Sequence, residues 1–214
     1  MDKNLHDYRK SYEKGALTEA SIAANAMHQF NTWFQEAEAS TVVDEANAMT
    51  LSTVDASGMP RGRVVLLKEI NKEGFVFYTN YSSEKGQAIA ANPKVCLSFF
   101  WPGLERQIII KGVATKISEE KSIAYFTKRP RASKLGALVS NQSEEVANRK
   151  SLEEKLEALD TKYKDTPVPK PTDWGGYLVS PIEFEFWQGR SSRLHDRIRY
   201  TKNNDSWIVV RLQP

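Results

Sequence analysis

Short apolar, β-branched and aromatic segments broken by glycine-containing turns are what most narrow the fold of this chain. Residues 48–80, "AMTLSTVDASGMPRGRVVLLKEINKEGFVFYTN", read as three strands separated by the turns "DASG" and "NKEG". Two more strand patterns follow, "KVCLSFFW" and "RQIIIKGVATKIS", and others close the chain near residues 176–187, 197–201 and 206–211. Connections of hairpin length join antiparallel strands, whereas parallel strands need long crossovers. The pattern therefore predicts a mainly β fold, an antiparallel barrel decorated by helices rather than a parallel sheet.

The helices announce themselves by a different rhythm. From Asn25 onward, Met27, Phe30, Trp33 or Phe34, and Ala37 recur at helical spacing and predict one amphipathic helix. "YSSEKGQAIAANP" predicts a short helix capped near Ser82 and stopped by Pro93. Residues 118–163 are helical in pattern: "SEEKSIAYFTK", then "RASKLGALVS", then a charged helix written "SEEVANRKSLEEKLEALDTKYK". Pro167, Pro169 and Pro171 mark a rigid, packed connector. Residues 1–18 form an arm without periodicity, leaving 19–214 as one domain.

Charge excludes some functions. With 30 basic against 27 acidic residues the chain carries a formal +3, too little for a nucleic-acid binder, so any anion must be held by local clusters. The single Cys96 excludes an intramolecular disulfide and a cysteine-based zinc site, and its strand-like surroundings predict a buried thiol. Histidines 6, 28 and 195 lack metal-ligand spacing, so no metal is expected. No run approaches the roughly 18 apolar residues of a membrane span, and the polar start "MDKNLHDYRKSYEKG" lacks the apolar core of a signal peptide. The expectation is a cytoplasmic protein without a membrane or nucleic-acid partner. Neither G-x-G-x-x-G nor G-x-x-x-x-G-K-[ST] occurs, so a phosphate must be met by side chains.

Three clusters supply such side chains. In "RGRVVLLK", strand alternation places Arg63, Val65 and Leu67 on one face and Val64, Leu66 and Lys68 on the other, which suits two separate anions as well as basic ends of a buried strand. In "YFTKRPRASK", Tyr125 and Arg129 share a helix face if the helix reaches the Arg-Pro step, and Ser133 follows Pro130 where a hydroxyl can meet an anion. The same run also reads as a solvated basic face. Lys85 near a helix start and "NQSEE", with Ser143 also readable as an N-cap, are weaker. The densest cluster is "WQGRSSRLHDR", residues 187–197. Arginine forks grip phosphate or carboxylate and stack on flat rings, histidine exchanges protons near neutrality, and Trp187 can wall a flat ligand. Surface salt bridges are the equal alternative.

In this order, "RVVLLK", "FVFYTN", "LERQ", "YFTKRPRASKLGA", "NQS", "WGGY" and "FEFWQGRSSRLHDR" resemble the pyridoxine/pyridoxamine 5′-phosphate oxidases, from about Tyr8 to the C-terminus. The resemblance implies an FMN-binding split β-barrel, a homodimer through a C-terminal dimerisation segment, with FMN sites at the subunit interface. FMN would be met by Arg63, Val64, Val65, Leu66, Leu67 and Lys68, by Tyr78, Thr79 and Lys85, and by Gln107, Gln142, Ser143, Trp187 and Arg197. Lys68, Tyr125, Arg129 and Ser133 would hold the substrate phosphate. Arg193, Leu194 and His195 would lie at the pyridine ring, Arg193 and His195 as catalytic residues. The arm Arg9, Lys10, Ser11 and Tyr12 would close over it, and Glu45 matches an acidic position near the site. The implied reaction turns pyridoxine 5′-phosphate or pyridoxamine 5′-phosphate into pyridoxal 5′-phosphate, passing a hydride to the flavin, with dioxygen as acceptor giving hydrogen peroxide.

One departure stands out. The resemblance leads one to expect two adjacent basic residues after the "YTN" strand, and here they are Glu84 and Lys85. A carboxylate there removes a favourable phosphate contact. The rival readings are a related split-barrel flavoprotein with another substrate, and a non-catalytic protein of the same fold that binds pyridoxal phosphate or FMN.

Overall fold

The computed structural model describes residues 3–214. The first helix, α1 (Ala26–Ala39), starts where Asn25 accepts the Met27 and His28 backbone N–H groups, satisfying donors that a helix start leaves open. It buries Phe30, Trp33, Phe34 and Ala37, the periodic residues apart from Met27. Four strands follow rather than three: β1 (Ala48–Val54), β2 (Pro60–Leu66), β3 (Glu69–Asn71) and β4 (Gly74–Asn80). The extra break falls at Leu67–Lys68, so the "RVVLLK" run leaves the ladder before its last two residues.

Helix α2 (Glu84–Ala91) is capped by Ser83, one residue beyond the expected Ser82, and ends before Pro93. Strands β5 (Lys94–Trp101) and β6 (Arg106–Lys116) come next, then α3 (Glu119–Lys128), α4 (Arg131–Val139) and α5 (Arg149–Lys162). The last helix begins six residues after Ser143, because Asn148 caps it and Ser143 takes a left-handed φ of 79° that a helix cannot contain. The closing strands are β7 (Trp174–Gln188), β8 (Asp196–Asn203) and β9 (Ser206–Leu212).

Among the described residues nine strands form one sheet in the order β2-β1-β5-β6-β7-β4-β3, with β8 added on β7 and β9 on β8. Strand β7 pairs antiparallel with β4 through Trp174–Val179 and with β8 through Glu183–Gln188, so one long strand serves two neighbours at its two ends. The mainly β, antiparallel expectation holds. No helix among the described residues is long and apolar enough to cross a membrane.

The chain divides into two compact units built from interleaved segments. The first comprises residues up to 50, 96–111 and 181–214; the second comprises 51–95 and 112–180. An aromatic cluster fills the first unit: Phe30 meets Phe99 with ring centroids 5.3 Å apart, Trp33 meets Phe186 at 5.4 Å, and Phe186 meets Tyr200 at 5.4 Å. Fully burying such a side chain contributes roughly 1.5–3 kcal/mol. In the second unit Phe77 stacks on Tyr177 and Phe126 meets Trp174 edge-on, which packs α3 onto β4 and β7. Cys96 is half-buried, and burial raises its thiol pKa.

Candidate functional site

A cleft of about 670 Å³ opens in the second unit. Its walls bring together Arg63, Val64, Val65, Leu66, Lys68, Tyr78, Thr79, Lys85, Tyr125, Arg129, Ser133, Gln142 and Ser143, segments up to 80 residues apart in sequence. Arg63 and Lys68 thus meet one cavity instead of two opposite faces. The alternation argument fails because β2 ends at Leu66, which frees Lys68 from the strand's parity. Leu67 is buried and does not line the cleft.

Two of the cleft's cations, Lys85 and Arg63, lie near each other in its wall. The Lys85 ammonium is buried and donates a long hydrogen bond to Ser83 Oγ at 3.4 Å. Burial, with the neighbouring Arg63 and Arg61 charges, lowers its pKa to about 8. Burial also lowers the Arg63 pKa; its Nη1 donates to the Leu51 carbonyl at 3.1 Å and to Thr53 Oγ1 at 2.7 Å. Lys85 is placed by α2, whose next residue, Gly86, lies so close to the Tyr81 carbonyl that a Cβ would come within 2.1 Å of that oxygen. Beside it, Thr79 Oγ1 donates to Gln142 Oε1 and the Glu84 N–H donates to Ser143 Oγ. Ser143 is therefore no helix cap; its hydroxyl serves the start of α2. The Glu84 carboxylate is ion-paired with Arg61.

A second group of lining residues is aromatic and cationic. Tyr78 and Tyr125 stack with centroids 3.8 Å apart, Trp174 continues the stack at 5.4 Å from Tyr78, and the Arg129 guanidinium lies 4.7 Å over Trp174. Helix α3 stops at Lys128, so Arg129 is an extended cap residue rather than part of a shared helix face with Tyr125, yet both reach the cleft. Arg129 Nη1 is buried with no hydrogen-bond partner among the described residues. Burial raises both tyrosine pKa values, that of Tyr78 to about 12, so both stay phenols able to donate. A buried ammonium and a half-buried guanidinium with one unpartnered buried nitrogen, both lining one cavity, suit an anionic ligand, since buried polar groups left unpaired are costly.

Gln107, Trp187, Arg193, Leu194, His195 and Arg197 do not line this cleft. They belong to the first unit. Trp187 and His195 pack with ring centroids 4.7 Å apart, and Tyr12 stands edge-on to both at 5.7 Å. The Arg190 backbone N–H donates to His195 Nδ1 at 3.0 Å, so a neutral imidazole carries its proton on Nε2. Asp196, although burial opposes it, is brought below its ordinary pKa by the Leu17 N–H and by Arg211 and Arg190. Ser192 and Arg193 take consecutive left-handed φ values of 55° and 61°, an uncommon turn for residues with side chains. This turn leaves Arg193 and Leu194 exposed. Arg197 is engaged instead: Nε donates to Glu185 and Nη1 to the Gln213 carbonyl. Gln107 donates to Ser98 Oγ. In the arm, Arg9 Nε donates to the His6 carbonyl, Ser11 to Glu13, and Lys10 approaches Glu105. Glu45 is exposed in the loop before β1.

Trp174, Arg61 and Glu105 were not singled out from the sequence. Trp174 sits in the quoted "WGGY", and Arg61 shares strand parity with Arg63. Nothing local marks Glu105, whose partners lie about 90 residues away.

Comparison with known proteins gives a consistent picture. The family described as pyridoxamine 5′-phosphate oxidase matches residues 35–163, and the pyridoxine 5′-phosphate oxidase C-terminal dimerisation region matches residues 174–214. The chain is 56% identical over 98% of its length to the pyridoxine/pyridoxamine 5′-phosphate oxidase of Flavobacterium johnsoniae, covering 98% of that protein. It is 53% identical to that of Christiangramia forsetii over the whole of both chains. Among solved structures, PhzG from Burkholderia lata 383, in complex with tetrahydrophenazine-1-carboxylic acid, is similar with a TM-score of 0.87 and 26% identity, covering 96% of this chain and 100% of the other. A pyridoxamine 5′-phosphate oxidase-related, FMN-binding protein from Nostoc punctiforme shares the fold at a TM-score of 0.69 and 18% identity, covering 91% and 99%.

Proposed function

The chain belongs to the pyridoxamine 5′-phosphate oxidase family, and on that premise we propose that it binds FMN and oxidises pyridoxine 5′-phosphate or pyridoxamine 5′-phosphate to pyridoxal 5′-phosphate. Bound FMN would supply the hydride acceptor, with dioxygen as the terminal oxidant giving hydrogen peroxide. The chain's own residues bind, orient and polarise. Arg63, Lys85, Thr79, Gln142 and Ser143 line the cleft and would offer charge and donors to the flavin phosphate. Lys68, Tyr125, Arg129 and Ser133 line the same cleft and would hold the substrate phosphate. Arg129 Nη1, buried and without a hydrogen-bond partner among the described residues, is the observation that carries this reading.

Trp187, Arg193, His195 and Arg197 fall in the region matched by the dimerisation family. We therefore assign them to the site through a homodimer, the subunits completing one another's clefts, with residues 1–18 as the arm of the domain 19–214. With Nδ1 accepting the Arg190 N–H, the Nε2–H of a neutral His195 would hydrogen-bond the polar edge of the pyridine, while the exposed Arg193 would stabilise charge at the reacting carbon.

The reading is tested by comparing phosphorylated with unphosphorylated pyridoxine as substrate. Losing two or more charge-assisted bonds costs roughly 3–6 kcal/mol, so kcat/KM should fall by about 10²–10⁴ without the phosphate. Equal efficiency with both substrates would refute the assignment of Lys68, Tyr125, Arg129 and Ser133.

A further inference from the structure

Glu105 is a carboxylate that the proposed chemistry does not use, yet it is 2% exposed. It sits just after a single 3₁₀ turn, in a left-handed conformation with φ 56°. Its Oε2 accepts two successive backbone N–H groups, from Glu13 at 2.8 Å and from Lys14 at 2.9 Å. Its own carbonyl accepts the Gly189 N–H at 2.8 Å and Gln188 Nε2 at 3.2 Å, which ties it to the end of the Trp187 strand. Lys14 Nζ reaches the Gly103 carbonyl alongside. Gly189 leaves room for the result: a Cβ there would lie 2.8 Å from the Tyr12 Cβ and 3.1 Å from the Glu105 Cβ.

We propose that Glu105 is a positioning residue, whose buried carboxylate fastens the N-terminal arm so that the Tyr12 ring stays edge-on against Trp187 and His195. The inference rests on the proposed function only in giving those two rings a role at the substrate. Ionised acceptors make the stronger hydrogen bonds, and a buried carboxylate deprived of them is left uncompensated. Residues 3–24 contain no helix or strand that could hold the arm by its own ladder. Side-chain anchoring is therefore the device available, and Glu105 fixes the two peptide groups next to Tyr12.

The test compares full-length wild type, Glu105→Ala, Glu105→Gln, Tyr12→Ala and the Glu105→Ala/Tyr12→Ala double variant. Limited trypsinolysis reads cleavage after Lys10 and Lys14, and steady-state kinetics reads KM against kcat. Glu105→Ala should speed arm cleavage by about tenfold or more, while cleavage elsewhere stays slow. Glu105→Gln keeps an acceptor oxygen in place and should recover part of the protection. KM for the phosphorylated substrate should rise several-fold in Glu105→Ala and in Tyr12→Ala, with no further rise in the double variant. Unchanged arm cleavage in Glu105→Ala, or additive effects with Tyr12→Ala, would overturn the proposal. Accelerated cleavage in an enzyme whose wild type lacks turnover would uphold the anchor and sink the functional reading instead.

Discussion

Lys85→Met should make the apoprotein more stable at neutral pH while weakening its hold on FMN. The Lys85 pKa falls from 10.5 to about 8 because burial and the Arg63 and Arg61 charges disfavour the ammonium. At 1.36 kcal/mol per pH unit, the buried charge costs the folded state roughly 3 kcal/mol. Between pH 8 and 10.5 the unfolded chain keeps a proton that the folded chain has lost, so wild-type stability rises with pH across that window. Below pH 8 both states are protonated and the whole cost is felt. Methionine fills similar space without charge and gives up only a 3.4 Å contact with Ser83 Oγ. Urea unfolding of apoprotein at pH 7 and pH 9.5, at one protein concentration, should show the variant about 1–3 kcal/mol more stable at pH 7. Its advantage should shrink at pH 9.5. A flavin-fluorescence titration should show FMN bound about 10–100-fold more weakly, since one charge-assisted bond is lost. A variant less stable at pH 7 whose FMN affinity is unchanged would refute both the charge cost and the assignment of Lys85 to the phosphate.

The Arg61–Glu84 pair predicts that Arg61→Gln weakens FMN binding a few-fold by leaving a bare carboxylate at the start of α2, an effect of the size expected for an exposed pair. Adding Glu84→Gln should abolish the loss, and titrations at low and high salt check both points. Arg193→Ala should lower turnover strongly with FMN binding intact. Arg197→Ala should weaken FMN and also lower the melting temperature, because it breaks the bonds to Glu185 and the Gln213 carbonyl. Steady-state kinetics, fluorescence titration and thermal unfolding of the two variants separate these roles.

Much of the fold was legible because its signals are local. The period of α1 and the aromatic strand "FVFYTN" are each carried by one short, continuous segment. Boundaries set by tertiary contacts were not legible. The charged run after Ser143 has helical composition, but the bond between Ser143 Oγ and the Glu84 N–H joins positions 59 residues apart and fits a left-handed backbone that delays α5. The site follows the same division. Arg129 and Lys85 stand out as basic residues in short motifs, whereas the shared cleft for Arg63 and Lys68 depends on where β2 ends. The pairing of Glu84 with Arg61 was not legible because β3 and β4 separate the two residues in sequence. Glu105 was hidden for the same reason, since an acid in "LERQ" shows nothing of the two peptide groups it holds.

The central claim is that the protein passes electrons from a phosphorylated pyridoxine to bound FMN. It is tested most directly by the visible absorption of the FMN-loaded homodimer under anaerobic conditions. Adding pyridoxine 5′-phosphate should bleach the flavin bands, and admitting air should restore them with release of hydrogen peroxide. A flavin-loaded protein that binds the same compound and keeps its oxidised spectrum would contradict the account.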